Sequence, residues 1–132
     1  MKKPIKIFII DDDSIFVFLT KKTIVRTGVE TEFEVFEDGE KSILHLKSIA
    51  DNVEKLPDII FLDLNMPVLD GWEFLEEFKL LEPTLPKRIS TYLVSSSISP
   101  HDIERSKNYS LVKDFLIKPL EIDQLKDLFE LT

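Results

Sequence analysis

Asp11 with Asp12, Asp63, Ser95 and Lys118 share one setting: each follows an apolar run rich in β-branched and aromatic residues, at its C-terminal end. Ile7, Phe8, Ile9 and Ile10 precede the acidic pair, and Ile59, Ile60, Phe61 and Leu62 precede Asp63. Residues 89–94 run into Ser95-Ser96-Ser97, and Phe115, Leu116 and Ile117 run into Lys118. In open α/β sheets the carboxyl ends of the strands form the edge where ligands bind. Like charges a few ångströms apart in a partly buried cleft repel one another, and a divalent cation relieves that repulsion. All candidate ligands are oxygens, which favours Mg²⁺; zinc has no His or Cys cluster to hold it. One carboxylate can then act as a nucleophile towards phosphorus and form an aspartyl phosphate. Mg²⁺ and Lys118 would neutralise charge on the transferring group, and the Ser95 hydroxyl could hydrogen-bond a phosphoryl oxygen. Asp63 stands singly, whereas Asp11 and Asp12 are a pair better suited to holding an ion.

The elements that must position these residues can be read in order. Residues 5–10 form a strand that ends on Asp11-Asp12-Asp13-Ser14. Ser14 is the expected N-cap of a helix over 15–26, whose dense apolar content suits a well-buried helix, with Gly28 as its stop. Residues 32–36 alternate polar and apolar, as an edge or half-covered strand does, and Asp38-Gly39 turns the chain. A second helix is expected over about 40–50, with Ile43, Leu44, Leu46, Ile49 and Ala50 as its core-facing stripe. The unbroken run 59–62 suits a strand covered on both faces, and Pro67 and Asp70-Gly71 turn the chain after it. Phe74, Leu75, Phe78 and Leu81 have helical spacing over 72–81, and Pro83 and Pro86 frame the connector that follows.

A fourth strand over 89–94 leads to Ser99-Pro100, an N-cap followed by proline at the first position of a short helix over 100–107. Residues 114–117 form the fifth strand, and Ile122, Leu125, Leu128 and Phe129 mark a closing amphipathic helix. Strands alternating with helices specify α/β: a doubly wound parallel sheet with helices on both faces.

Composition sets the outer limits. The 132 residues make one domain, 43% hydrophobic, and the net charge of −8 opposes binding to nucleic acid or to an anionic membrane surface. No cysteine is present, so disulfides and thiolate metal sites are excluded. The basic N-terminus Met1-Lys2-Lys3 is followed by too short an apolar run for a signal or membrane segment, and the expected location is cytoplasmic.

Together the motifs resemble the response-regulator receiver domain of two-component signalling, over essentially the whole chain. The pieces are Asp11-Asp12 after the first strand, Asp63-x-x-Met66-Pro67-x-x-Asp70-Gly71 after the third, Ser95 after the fourth and Lys118-Pro119 after the fifth. The resemblance implies a flavodoxin-like five-stranded sheet in the order 2-1-3-4-5 with five helices. It implies that Asp63 accepts a phosphoryl group from a histidine kinase or histidine phosphotransfer protein in a Mg²⁺-dependent reaction. Asp12, Asp63 and the Asn65 backbone carbonyl would ligate Mg²⁺, with Asp11 acting mainly through water. Ser95 and Lys118 would bind phosphoryl oxygens, and Ser95 and Phe115 would be the switch residues. The chain would then be a phosphoacceptor signalling protein rather than an enzyme with a separate substrate, catalysing its own phosphoryl transfer and autodephosphorylation. With one domain and no output domain, its output would be binding to a downstream protein, as a monomer or weak dimer. Two features depart from the family pattern: residues 107–113 contain no glycine, and Phe115 stands where tyrosine is common.

Blander or competing readings bear on several residues. Strand-end acids can be solvated caps, but their joint appearance with Ser95 and Lys118-Pro119 argues against that. Asp13 is taken as a surface or first-turn acid, His45 and His101 as solvent-facing, Trp72 and the phenylalanines as core, and Glu73, Glu76 and Glu77 as a solvated helix face. A competing enzyme reading makes Asp11 the nucleophile of a phosphohydrolase through the D-x-D spacing of Asp11 and Asp13. It lacks the cap or larger core that such enzymes need. An unphosphorylated scaffold would have no use for an intact site, and no glycine-rich phosphate loop supports nucleotide binding.

Overall fold

The structure, a computed structural model, describes residues 3–66, 69–97 and 99–132. Five strands, β1 (Ile5–Ile10), β2 (Thr31–Phe36), β3 (Ile59–Asp63), β4 (Ser90–Ser95) and β5 (Val112–Ile117), form one sheet in the order β2-β1-β3-β4-β5. All four pairings are parallel. The connections are the helices α1 (Ser14–Arg26), α2 (Gly39–Ser48), α3 (Gly71–Leu81) and α4 (Pro100–Ser106), and α5 (Ile122–Glu130) closes the chain. This is the flavodoxin-like α/β arrangement expected from the sequence. Pro67 of the expected turn lies outside the described residues.

Alternation along the central strands divides the interior into two layers. Ile7, Ile9, Ile59, Phe61, Tyr92 and Val94 face α1 and α5, where they meet Phe16, Val17, Ile24, Leu125, Leu128 and Phe129. Phe8, Ile10, Ile60, Leu62 and Leu93 face the other way, against Ile43 and Leu46 of α2 and Phe74, Leu75 and Phe78 of α3. Every residue of β3 is buried, as its unbroken apolar run requires.

Several local expectations are corrected. The N-cap of α1 is Asp13, not Ser14: its carboxylate accepts the N–H groups of Ile15 at 3.0 Å and Phe16 at 3.1 Å. Only Phe16, Val17, Thr20 and Ile24 of α1 are buried, the single stripe that faces the sheet and α5. Ile15 is 71% exposed and Phe18 57%, because among the described residues no element covers the opposite side. Leu44 of α2 likewise points outward, a third of a turn from the Ile43–Leu46 stripe. His45 is half-buried between the rings of Phe8 and Phe36, with Nε2 3.4 Å from Glu34, so it does not simply face solvent. Gly28 ends α1 with a φ of +78°, a conformation that glycine adopts without strain. The glycine-free stretch after α4 folds as consecutive turns that bury Tyr109 against Trp72.

Candidate functional site

The reversal of strand order puts β1 and β3 side by side, with Ile10 opposite Leu62. Their next residues, Asp11 and Asp63, therefore meet at the carboxyl edge of the sheet, at the topological switch point. Both carboxylates are buried, Asp63 to 5% exposure. Asp11, Asp12 and Asp63 each offer an oxygen, and these oxygens lie within 4.8 Å of one another. Lys118, at the end of β5, reaches across the same rim: its Nζ is 2.9 Å from Asp11 Oδ2 and 3.7 Å from Asp63 Oδ1.

Hydrogen bonds hold this geometry from behind. Asp13 N–H donates to Asp11 Oδ1 at 2.8 Å, and Asn65 N–H donates to Asp63 Oδ1 at 3.4 Å. Asp70 caps α3 through a reciprocal capping box with Glu73, and Gly71 N–H donates to the Leu64 carbonyl at 3.1 Å. Gly71 packs so closely on β3 that a Cβ there would lie 2.6 Å from the Asp63 carbonyl oxygen. On the next strand Ser95 is buried, its Oγ accepts Ser97 N–H at 3.3 Å, and its carbonyl accepts Lys118 N–H at 2.8 Å. Phe115, three residues before Lys118 and opposite Leu93, is half-buried against the α2–α3 layer.

The electrostatics follow from burial. Asp63 is pushed up to about 6, first by desolvation and then by the neighbouring Asp11 charge, while Lys118 and the Asn65 N–H act in the opposite direction. Asp11 is also raised, again by desolvation first, against the Asp13 N–H and Lys118. Asp11 Oδ2 is buried with no directional hydrogen bond, although the Lys118 ammonium stands beside it. Three carboxylates in one all-oxygen group, two of them buried and with a single ammonium between those two, are a donor arrangement that a hard divalent cation fits.

The model of the response regulator receiver domain matches residues 7–130. The chain belongs to the response regulator receiver domain family. This receiver domain is 27% identical over 122 residues to the chemotaxis protein CheY of Listeria monocytogenes, covering 92% of this chain and 93% of that protein. It is 28% identical over 123 residues to a probable methanogenesis regulatory protein, FilR2, of Methanothrix harundinacea, covering 93% of this chain and 77% of that one. Among solved structures, a two component response regulator from Cytophaga hutchinsonii superposes with a TM-score of 0.87 at 29% identity, covering 98% of this chain and 96% of that one. Receiver domains are phosphorylated on aspartate, depend on Mg²⁺ bound in an acidic pocket, and interact with histidine kinases and downstream effectors. Among the described residues, no helix of this receiver domain is long and apolar enough to cross a membrane.

Of the residues singled out in the sequence, Asp11, Asp12, Asp63 and Lys118 converge within contact distances, Ser95 joins their rim, Asn65 is exposed beside it, and Phe115 lies behind it. Sequence reasoning missed Asp13, whose N–H and side chain tie Asp11 to the start of α1. Its spacing of two residues from Asp11, that of an Asx turn, was the available signal. It also missed Phe16, whose ring lies under the Lys118 ammonium. A broad concavity of about 1340 Å³ lies at the opposite, N-terminal edge of the sheet, around Lys6, Asp58 and Lys87, and includes none of the predicted site residues.

Proposed function

We propose that Asp63 accepts a phosphoryl group from a histidine kinase or histidine phosphotransfer protein, and that the phosphorylated chain signals by binding a further protein. The observation that carries this reading is the buried Asp63 carboxylate at the end of β3, 3.7 Å from the Lys118 ammonium and grouped with Asp11 and Asp12. With its carboxyl raised to about 6, Asp63 is largely ionised at neutral pH yet more basic than a surface carboxylate, which suits a nucleophile. One of its oxygens forms the new O–P bond while the donor's P–N bond breaks, or the P–O bond of a small acyl phosphate, and the bonding pair leaves with the donor.

Lys118 balances negative charge on the transferring group. Because Ser95 Oγ already accepts the Ser97 N–H, its own proton is available to a phosphoryl oxygen. Asp12, Asp63 and the Asn65 carbonyl would hold Mg²⁺, with Asp11 acting mainly through water. When bound, Mg²⁺ supplies further neutralisation of phosphoryl charge. Phe115 and Ser95 form the switch in this reading.

Next to the acids, the exposed Ile15, Phe18 and Leu19 offer an apolar contact to the donor protein. The negative net charge keeps nucleic acid and anionic lipid off the partner list. Action in the cytoplasm as a monomer or weak dimer completes the reading, and the match along 93% of the chemotaxis relative supports a receiver domain that signals through its own surface.

The test is to incubate the protein with Mg²⁺ and acetyl phosphate and to measure intact mass beside Asp63→Asn. The parent gains one phosphoryl group and the variant none. Labelling of both would move the acceptor to another residue, with Asp11 the first to examine.

A further inference from the structure

Phe16 is a core residue of α1, 6% exposed, to which the chemistry above gives no task. Its ring nevertheless faces the site. Lys118 Nζ stands 4.4 Å from the ring centroid, while the same ammonium is 2.9 Å from Asp11 Oδ2 and 3.7 Å from Asp63 Oδ1. A cation over an aromatic face is attracted by the ring's quadrupole, more strongly where water is excluded. The Lys118 side chain is 14% exposed, so little water competes.

The position of the ring is set by the turn that builds the acid cluster. Asp11 accepts the Asp13 N–H, and Asp13 in turn accepts the N–H of Phe16 itself. Two side-chain hydrogen bonds thus connect the acid beside Asp63 to the backbone of the residue that supports Lys118.

We propose that Phe16 is a positioning residue for phosphoryl transfer: its ring keeps the Lys118 ammonium beside Asp63 when a divalent cation occupies the neighbouring acids. The inference rests on the reading of Asp63 as phosphoryl acceptor. Asp11 lies between the two cations, paired with the ammonium and facing the metal through water, so it cannot give its full charge to Lys118 once the metal is bound. A metal ion at the acids takes over its negative charge and repels the ammonium, and the flexible four-carbon lysine stem is then free to swing towards solvent. The aromatic face opposes that movement without competing for the metal, because it offers no oxygen ligand.

The experiment compares the parent with Phe16→Leu and with protein carrying 3,4,5-trifluorophenylalanine at position 16, which keeps the ring's shape while cancelling its negative face. Two quantities are read. The first is the initial rate of phosphorylation by acetyl phosphate with saturating Mg²⁺. The second is the ring-current shift of the Lys118 ε-methylene protons in ¹³C-lysine-labelled protein, with and without Mg²⁺, assigned by its loss in Lys118→Arg. The parent retains the shifted resonance when Mg²⁺ is added, Phe16→Leu lacks it, and both altered proteins are phosphorylated about tenfold more slowly. Should Phe16→Leu fail to fold, the fluorinated protein carries the comparison. A labelled parent with a fluorinated protein of equal rate overturns the proposal alone, as does loss of the shift on adding Mg²⁺. A parent that takes no phosphoryl group overturns the acceptor reading and the proposal with it.

Discussion

Lys118 and Asp11 form a buried ion pair, Nζ to Oδ2 2.9 Å, with Asp63 as the ammonium's second and more distant acidic neighbour at 3.7 Å. A single cation therefore offsets part of the desolvation that drives both carboxylates towards protonation.

Replacing it exposes that dependence. Lys118→Met leaves both acids buried without a counter-charge, and breaking one partner of a buried pair costs about 3 kcal/mol. The loss measured by urea denaturation should be largest in Mg²⁺-free buffer near about pH 7.5 and shrink towards about pH 5, where the carboxyls take up protons. Equal stability of variant and parent at both pH values would contradict the ion pair's role.

Asp63 sets a pH dependence of its own. Its carboxyl rises from an ordinary 3.8 to about 6 on folding, so between those values the native state binds more protons than the unfolded chain. Stability in Mg²⁺-free solution should accordingly fall as pH rises through that window. Asp63→Asn removes the effect and should be more stable than the parent at about pH 7.5, by on the order of 2 kcal/mol. Mg²⁺ at about a hundredfold above its dissociation constant should return about 2.7 kcal/mol to the parent and less to the variant. Denaturation curves with chelator and with Mg²⁺ decide it; a variant less stable than the parent in chelator would refute the sign.

The helix cap can be tested by paired substitutions. Asp13→Ala should cost about 1 kcal/mol, since two N–H groups of the first turn of α1 lose their acceptor. Ser14→Ala, one residue on, should stay within about 0.5 kcal/mol of the parent. Thermal unfolding of both variants discriminates, and the reverse order would restore Ser14 as the cap.

Gly71 is a packing requirement at the back of the site. In Gly71→Ala the new methyl would meet the Asp63 carbonyl oxygen at 2.6 Å and Leu64 Cα at 2.7 Å, both backbone atoms with little room to yield. A loss of about 2 kcal/mol in urea denaturation is expected, together with weaker Mg²⁺ binding by calorimetry as the Asp63 backbone is displaced. Retention of both properties would show that the turn relaxes freely.

How much of this was legible beforehand depends on the range of the interactions concerned. Apolar runs ending on Asp11, Asp63, Ser95 and Lys118 are local signals, and a parallel α/β sheet collects strand ends on one edge whatever the details of packing. The fold class, the rim and its acidic, hydroxyl and ammonium members follow from residue order alone. The choice of Asp13 over Ser14 as cap was not decidable locally, because either side chain can accept an N–H there; the turn made by Asp11 determined it. Helix composition could not reveal that α1 is covered on one side only, since coverage is a property of the neighbouring α5 and the sheet. Sequence by itself determined which chemical groups would meet at the edge of the sheet. The tertiary structure alone decided that Lys118 lies between Asp11, Asp63 and the ring of Phe16, because those contacts join the ends of three strands and a helix, and no periodicity along the chain encodes such distances.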